Sequence, residues 1–160
     1  MDYRAKFHKY VYWLGDDIPE HMKKEARTFL LNCEEEYIPY IICTSNGFTW
    51  NNAIKILKEI GYPKNRFAAE NIMYLFQDIN WKCAEMALDV IRDIYNNEPK
   101  LIVNAMEDTA KKAYKYQDYD WLYGLSYVKE NLGIKREDFS DGETVKLLLL
   151  GEYYDNEEMQ

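Results

Sequence analysis

The chain has 160 residues, 48% of them hydrophobic and 30% charged, which supplies one self-sufficient core and argues against wholesale disorder. Its net charge of −8 is lopsided: residues 137–160 hold eight acids against the single base Lys146, whereas residues 1–136 are nearly balanced. Such a block disfavours nucleic acid and membrane surfaces as partners and favours a basic one.

No apolar run approaches the ~20 residues of a membrane span, and the N-terminal stretch lacks the long apolar core of a secretory leader. Cytoplasmic residence is the expectation. Cys33, Cys43 and Cys83 form no CxxC pair; in a reducing compartment they are expected as small, buried apolar side chains.

A first helix is predicted near residues 3–14. Pro19 opens the next, with Met22, Ala26, Phe29, Leu30 and Cys33 on one face, and residues 36–43 supply a short partner containing IPYII. Three later helices then share an opening, a small polar residue followed by tryptophan: TWNNAIKIL at 49–57, NWKCAEMAL at 80–88 and DWLYGLSYV at 120–128. Apolar residues recur after each tryptophan at helical spacing, and Thr49, Asn80 and Asp120 are suited to N-caps. The small residue three positions on (Ala53, Ala84, Gly124) lets another helix approach beside the indole. Gly61 and Gly133 stand where a left-handed residue ends a helix, and Asn96 and Asn97 are expected to do the same after the second. Return helices are predicted over 66–76, from Pro99 to about Lys115, and near 143–150.

The chain therefore reads as all-α. Hairpins near 19–45, 50–77, 81–116 and 121–150 form a single domain over residues 1–150, a small right-handed stack, followed by an acidic tail at 151–160. In such a stack the first turn of each leading helix lies under the preceding loop, so the tryptophans are expected to seal those junctions.

The run AIKILKEIGYPKN…AAENIMYLFQDINWKCAEMALDVIRDI resembles short bacterial HEAT-like repeat proteins: a helix ending near IG, a proline turn, an amphipathic helix, and a QD-x-NW step into the next. The similarity is clearest over about residues 50–95, weaker over 19–45 and poor beyond 120. Several small acidic proteins of this kind look like immunity proteins, which neutralise a toxin by binding it. The resemblance implies that role.

Few residues suggest chemistry. His8 and His21 stand apart, and His21 with Glu25 makes only a two-ligand match, so no metal site is expected. Ser45, Ser126 and Ser140 lie in no nucleophile elbow, the glycines form no phosphate loop, and acid pairs such as Glu107-Asp108 are expected on solvated faces. No cofactor and no catalytic residue are predicted. Arg4, Lys6 and Lys9 make the best basic patch, too small for a nucleic-acid surface.

The segment KAYKYQDYDWLYGLSY, 112–127, is different in kind: it clusters Tyr114, Tyr116, Tyr119, Tyr123 and Tyr127 around Trp121. Tyrosines give large contact area at low entropic cost. Tyr116, Asp118 and Tyr119 are predicted in a loop, with Asp78 in the equivalent loop one unit earlier. With Glu152, Tyr153, Tyr154 and Asp155 of the tail they form the predicted partner-binding set. The expected function is that of a non-enzymatic binding protein, monomeric when free, whose carboxylates occupy the place of substrate phosphates in a basic toxin, such as a nuclease. A general helical-repeat adaptor is the alternative.

Overall fold

The computed structural model describes residues 1–158, and every regular element among them is helical. Helix α1 (Tyr3–Tyr12) is capped by the Asp2 carboxylate, which accepts from the Ala5 amide at 2.7 Å. It packs on α2 (Glu20–Leu30), which opens after Pro19 as predicted. Aromatic rings dominate this joint: the ring centroids of Tyr10 and Tyr3 lie 4.7 and 5.4 Å from that of Phe29.

The short partners are not α-helices. Residues Glu35–Ile41 wind as a 3₁₀ segment with Pro39 inside it; proline has no amide to donate to the ladder, and the tighter turn tolerates the loss. The helix predicted over 66–76 is broken into a 3₁₀ turn at Lys64–Ala68, the single α turn α4 (Ala69–Ile72) and a second 3₁₀ turn at Met73–Phe76. Ala68, Ala69, Ile72, Met73, Leu75 and Phe76 are all buried, more inward-facing positions than one helix stripe provides. The Met73 carbonyl is also diverted: the Gln77 amide donates to Tyr74, and Met73 accepts from the Trp121 indole instead.

Four longer helices follow the first two. These are α3 (Trp50–Ile60), α5 (Lys82–Asn97), α6 (Pro99–Lys115) and α7 (Tyr119–Leu132), with α8 (Gly142–Glu158) closing the described chain. Helix α3 packs on α5, α5 on α6, α6 on α7, and both α6 and α7 on α8. One cluster of buried side chains runs from Phe7 to Leu148. Gly133 ends α7 in the left-handed conformation that the sequence predicts, whereas Gly61 ends α3 with positive φ but an extended ψ of 168°. After α5 no left-handed asparagine appears; helix continues through Asn97, and Glu98 joins it directly to Pro99 at the start of α6.

Two expectations for the C-terminal part need correcting. Residues 151–158 are not a tail beyond the domain, because α8 carries on through them to Glu158; Met159 and Gln160 of the predicted tail lie outside the described residues. Gly151 in mid-helix explains the closeness of this packing: a β-carbon there would stand 2.5 Å from the Tyr123 amide nitrogen and 2.7 Å from the Leu122 β-carbon. Glu107, placed by sequence on a solvated face, is buried, and its carboxylate accepts from both the amide and the hydroxyl of Ser140, fastening the chain before α8.

The α5–α6 corner carries the clearest charge effect. Glu98 accepts from the Arg66 guanidinium at 2.7 Å and from the Tyr62 hydroxyl at 2.9 Å. The Arg66 hydrogen bond first, then that of Tyr62, holds its carboxyl below the usual range. A carboxylate whose folded pKa is depressed contributes stability above its unfolded value, about 4.3 for Glu, and that contribution is lost as pH falls through the folded value. The urea midpoint is therefore expected to fall as pH drops from about 4.3 through the lower, folded value, and Glu98→Gln to shallow the fall. An identical acid limb in the variant would assign the loss to other carboxylates.

Candidate partner-binding surface

The tryptophans that share a sequence pattern do not share an environment. Trp50 and Trp121 are buried, and each indole N–H donates to a backbone carbonyl of an earlier segment: Trp50 to Cys43 at 2.8 Å, Trp121 to Met73 at 2.9 Å. Trp50 seals the junction just before it, as expected, whereas Trp121 closes onto the Met73–Phe76 turn, one hairpin earlier than the loop it was expected to cover. Trp81 is 40% exposed, with its ring 5.0 Å from that of Trp50.

Two of the three predicted caps are displaced. Thr49 does stand at the N-cap of α3, but it is buried and its hydroxyl donates to the Asn46 carbonyl instead of accepting from the first turn; Trp81, not Asn80, occupies the N-cap of α5; and α7 starts earlier, capped by Asp118 rather than Asp120. The turn into α7 depends on Gln117, the only non-glycine with positive φ among the described residues. Nothing in the sequence marks that position.

The two predicted loop aspartates are thus tied to their own turns. The Asp118 carboxylate accepts from the Trp121 amide at 2.9 Å, and that of Asp78 from the Asn80 amide at 2.8 Å. Around α7 and α8 several of the other candidates come together. Tyr119 stacks on Tyr154 with centroids 4.0 Å apart and planes at 14°, and Tyr153 meets Tyr154 edge-on. Burial, reinforced by Tyr154, pushes the Tyr119 phenol up. Tyr116 caps the end of α6 and is 68% exposed; Tyr153 is 56% exposed and donates to Glu157 at 2.8 Å. Glu152 is half-buried and accepts from the Ser126 hydroxyl, and Asp155 is half-buried beside it on the helix. None of Glu152, Asp155 and Glu157 meets a lysine or arginine among the described residues, whose ion pairs lie elsewhere.

A second aromatic group escaped the sequence reading. Tyr12, Tyr40 and Phe48 are exposed near the turn after α1 and the loop before α3, and hollows link them to Trp81. Phe48 lies between Gly47 and Thr49, outside any helical period, which is the one signal that sets it apart.

Burial pushes the thiols of Cys33 and Cys83 up to about 11, so neither carries a ready thiolate at neutral pH. No three of His, Cys, Asp and Glu converge in a ligand-like group among the described residues, and no helix there is long and apolar enough to cross a membrane. The chain matches no protein-family model, and neither a curated protein nor a solved structure is found similar to it.

Proposed function

We propose that the chain is a non-enzymatic binding protein, an immunity protein of a bacterial toxin system built on a short HEAT-like stack of helical hairpins. It is monomeric when free, resides in the cytoplasm, and neutralises a basic toxin by covering its active site. The observation that carries this reading is the edge formed by α7 and α8. There Tyr119, Tyr153 and Tyr154 are held ring against ring, with Glu152, Asp155 and Glu157 unpaired by any cation among the described residues. Pre-stacked rings lose little freedom on binding, and uncompensated carboxylates steer a basic partner inward.

The test is recovery of partners by the tagged full chain from lysate of the source cell, at low and moderate salt, beside Tyr116→Ala and Tyr153→Ala. Both side chains are exposed, so their removal is expected to leave stability within about 0.5 kcal/mol. One stoichiometric basic partner, lost from the variants, is the expected result. A spread of weak partners retained by both variants would instead identify a general adaptor.

A further inference from the structure

The turn after α1, the loop entering α3 and the first turn of α5 meet around two adjoining hollows. One, of about 340 Å³, is bounded by Asp16, Phe48, Asn51, Trp81 and Lys82; the other, of about 510 Å³, by Tyr12, Asp16, Asp17, Asn46 and Phe48. Phe48 divides them and is 80% exposed. Its position is held by the loop itself. The Asn46 carboxamide oxygen accepts from the Phe48 amide at 3.3 Å, the Thr49 hydroxyl donates to the Asn46 carbonyl at 2.9 Å, and buried Trp50 anchors the loop through Cys43. Trp81 rests one part of its ring on Trp50 and leaves the rest open. Two aromatic groups are thus presented to solvent by an ordered loop and by a helix start.

Charge decides what fits there. Asp16 and Asp17 are both exposed, and neither is ion-paired among the described residues. Lys82 borders the smaller hollow without coming within ion-pair distance of Asp16. Aromatic faces beside uncompensated carboxylates select a cation that also offers apolar surface. A planar guanidinium does this best, since it stacks on a ring while donating to a carboxylate.

We infer that this groove is a docking site for a protein segment carrying arginine next to bulky aliphatic residues, the guanidinium lying against Phe48 and Trp81 and donating to Asp16 or Asp17. The site is independent of the α7–α8 edge and does not require the immunity role.

The probe is the blocked peptide acetyl-Leu-Arg-Leu-Arg-amide, titrated into the ¹⁵N-labelled full chain, with the glutamate-for-arginine peptide as its counterpart. The Trp81 indole resonance is expected to shift saturably with the arginine peptide alone. The Trp121 indole, hydrogen-bonded in the interior, should stay in place and report an intact fold in every variant. Phe48→Ala and the double change Asp16→Asn/Asp17→Asn each weaken binding by about tenfold or more, equivalent to about 1.4 kcal/mol. Tyr153→Ala leaves it unchanged, which separates this groove from the α7–α8 edge. The proposal is overturned if Trp81 does not respond, if the glutamate peptide binds equally, or if the Asp16→Asn/Asp17→Asn chain binds as the parent does. A Trp81 shift that follows protein concentration without peptide would overturn it too, by making a second copy the occupant.

Discussion

Trp121→Ala is expected to destabilise the chain by about 3–5 kcal/mol, whereas Trp81→Ala is expected to cost less than about 1 kcal/mol. Trp121 is 2% exposed, packs 4.7 Å from the Tyr74 ring and donates its indole N–H to Met73. Its removal leaves a large apolar void and also orphans a buried carbonyl that the broken α4 region has turned away from its own helix. Trp121→Phe separates the two effects: it keeps most of the ring volume and loses the hydrogen bond, for an expected cost of about 1–3 kcal/mol. Trp50→Ala should resemble Trp121→Ala, because its indole is anchored on Cys43 in the same way. Urea unfolding of the full chain measures all four variants. Equal losses for Trp81→Ala and Trp121→Ala would mean that the three tryptophans are equivalent after all.

That contrast shows how far the amino-acid pattern reaches. Spacing after each tryptophan correctly marked three helices, and the glycines at 61 and 133 marked where two of them end, because both features are local consequences of helical period and backbone sterics. The 3₁₀ turns around α4 were not legible. The second of them, at Met73–Phe76, has a carbonyl claimed by an indole 48 residues away, and long-range capture of a backbone group leaves no periodic trace. The same limit hid the helical character of residues 151–158. Leu149 and Tyr153 are exposed while Gly151 is buried against α7, so the segment carries no clean apolar stripe, and its helix is held by contact instead. Of the proposed contacts, the tyrosines near 116–119 and 153–154 were visible as composition. The stacking of Tyr119 on Tyr154 was not, nor was the exposure of Phe48, because both depend on how distant segments are brought together.

Gly124→Ala poses local preference against packing, and the two predict opposite signs. Gly124 sits inside α7, where alanine is favoured over glycine by about 1 kcal/mol. On propensity alone the substitution stabilises. A β-carbon at this position, however, would stand 1.8 Å from the Phe76 carbonyl oxygen and 2.9 Å from its carbonyl carbon. Neither atom belongs to a side chain that can rotate away, and the Phe76 segment is pinned by the bond from Trp121 to Met73. Helix α7 would have to lift off its neighbour, so the expected outcome is a loss of about 3 kcal/mol or more, at the upper end of overpacking costs. Gly133→Ala is the matched control. It has φ of 67° with nothing within 4 Å of an added β-carbon, so it should cost only the left-handed backbone penalty of about 1–2 kcal/mol. Because α7 also carries Tyr119, lifting it would separate that ring from Tyr154 and weaken partner capture along with stability, whereas Gly133→Ala should leave capture intact. A stabilised Gly124→Ala chain would show that α7 does not rest on Phe76, and the tyrosine edge would then have to be rebuilt from a different packing of the last two helices.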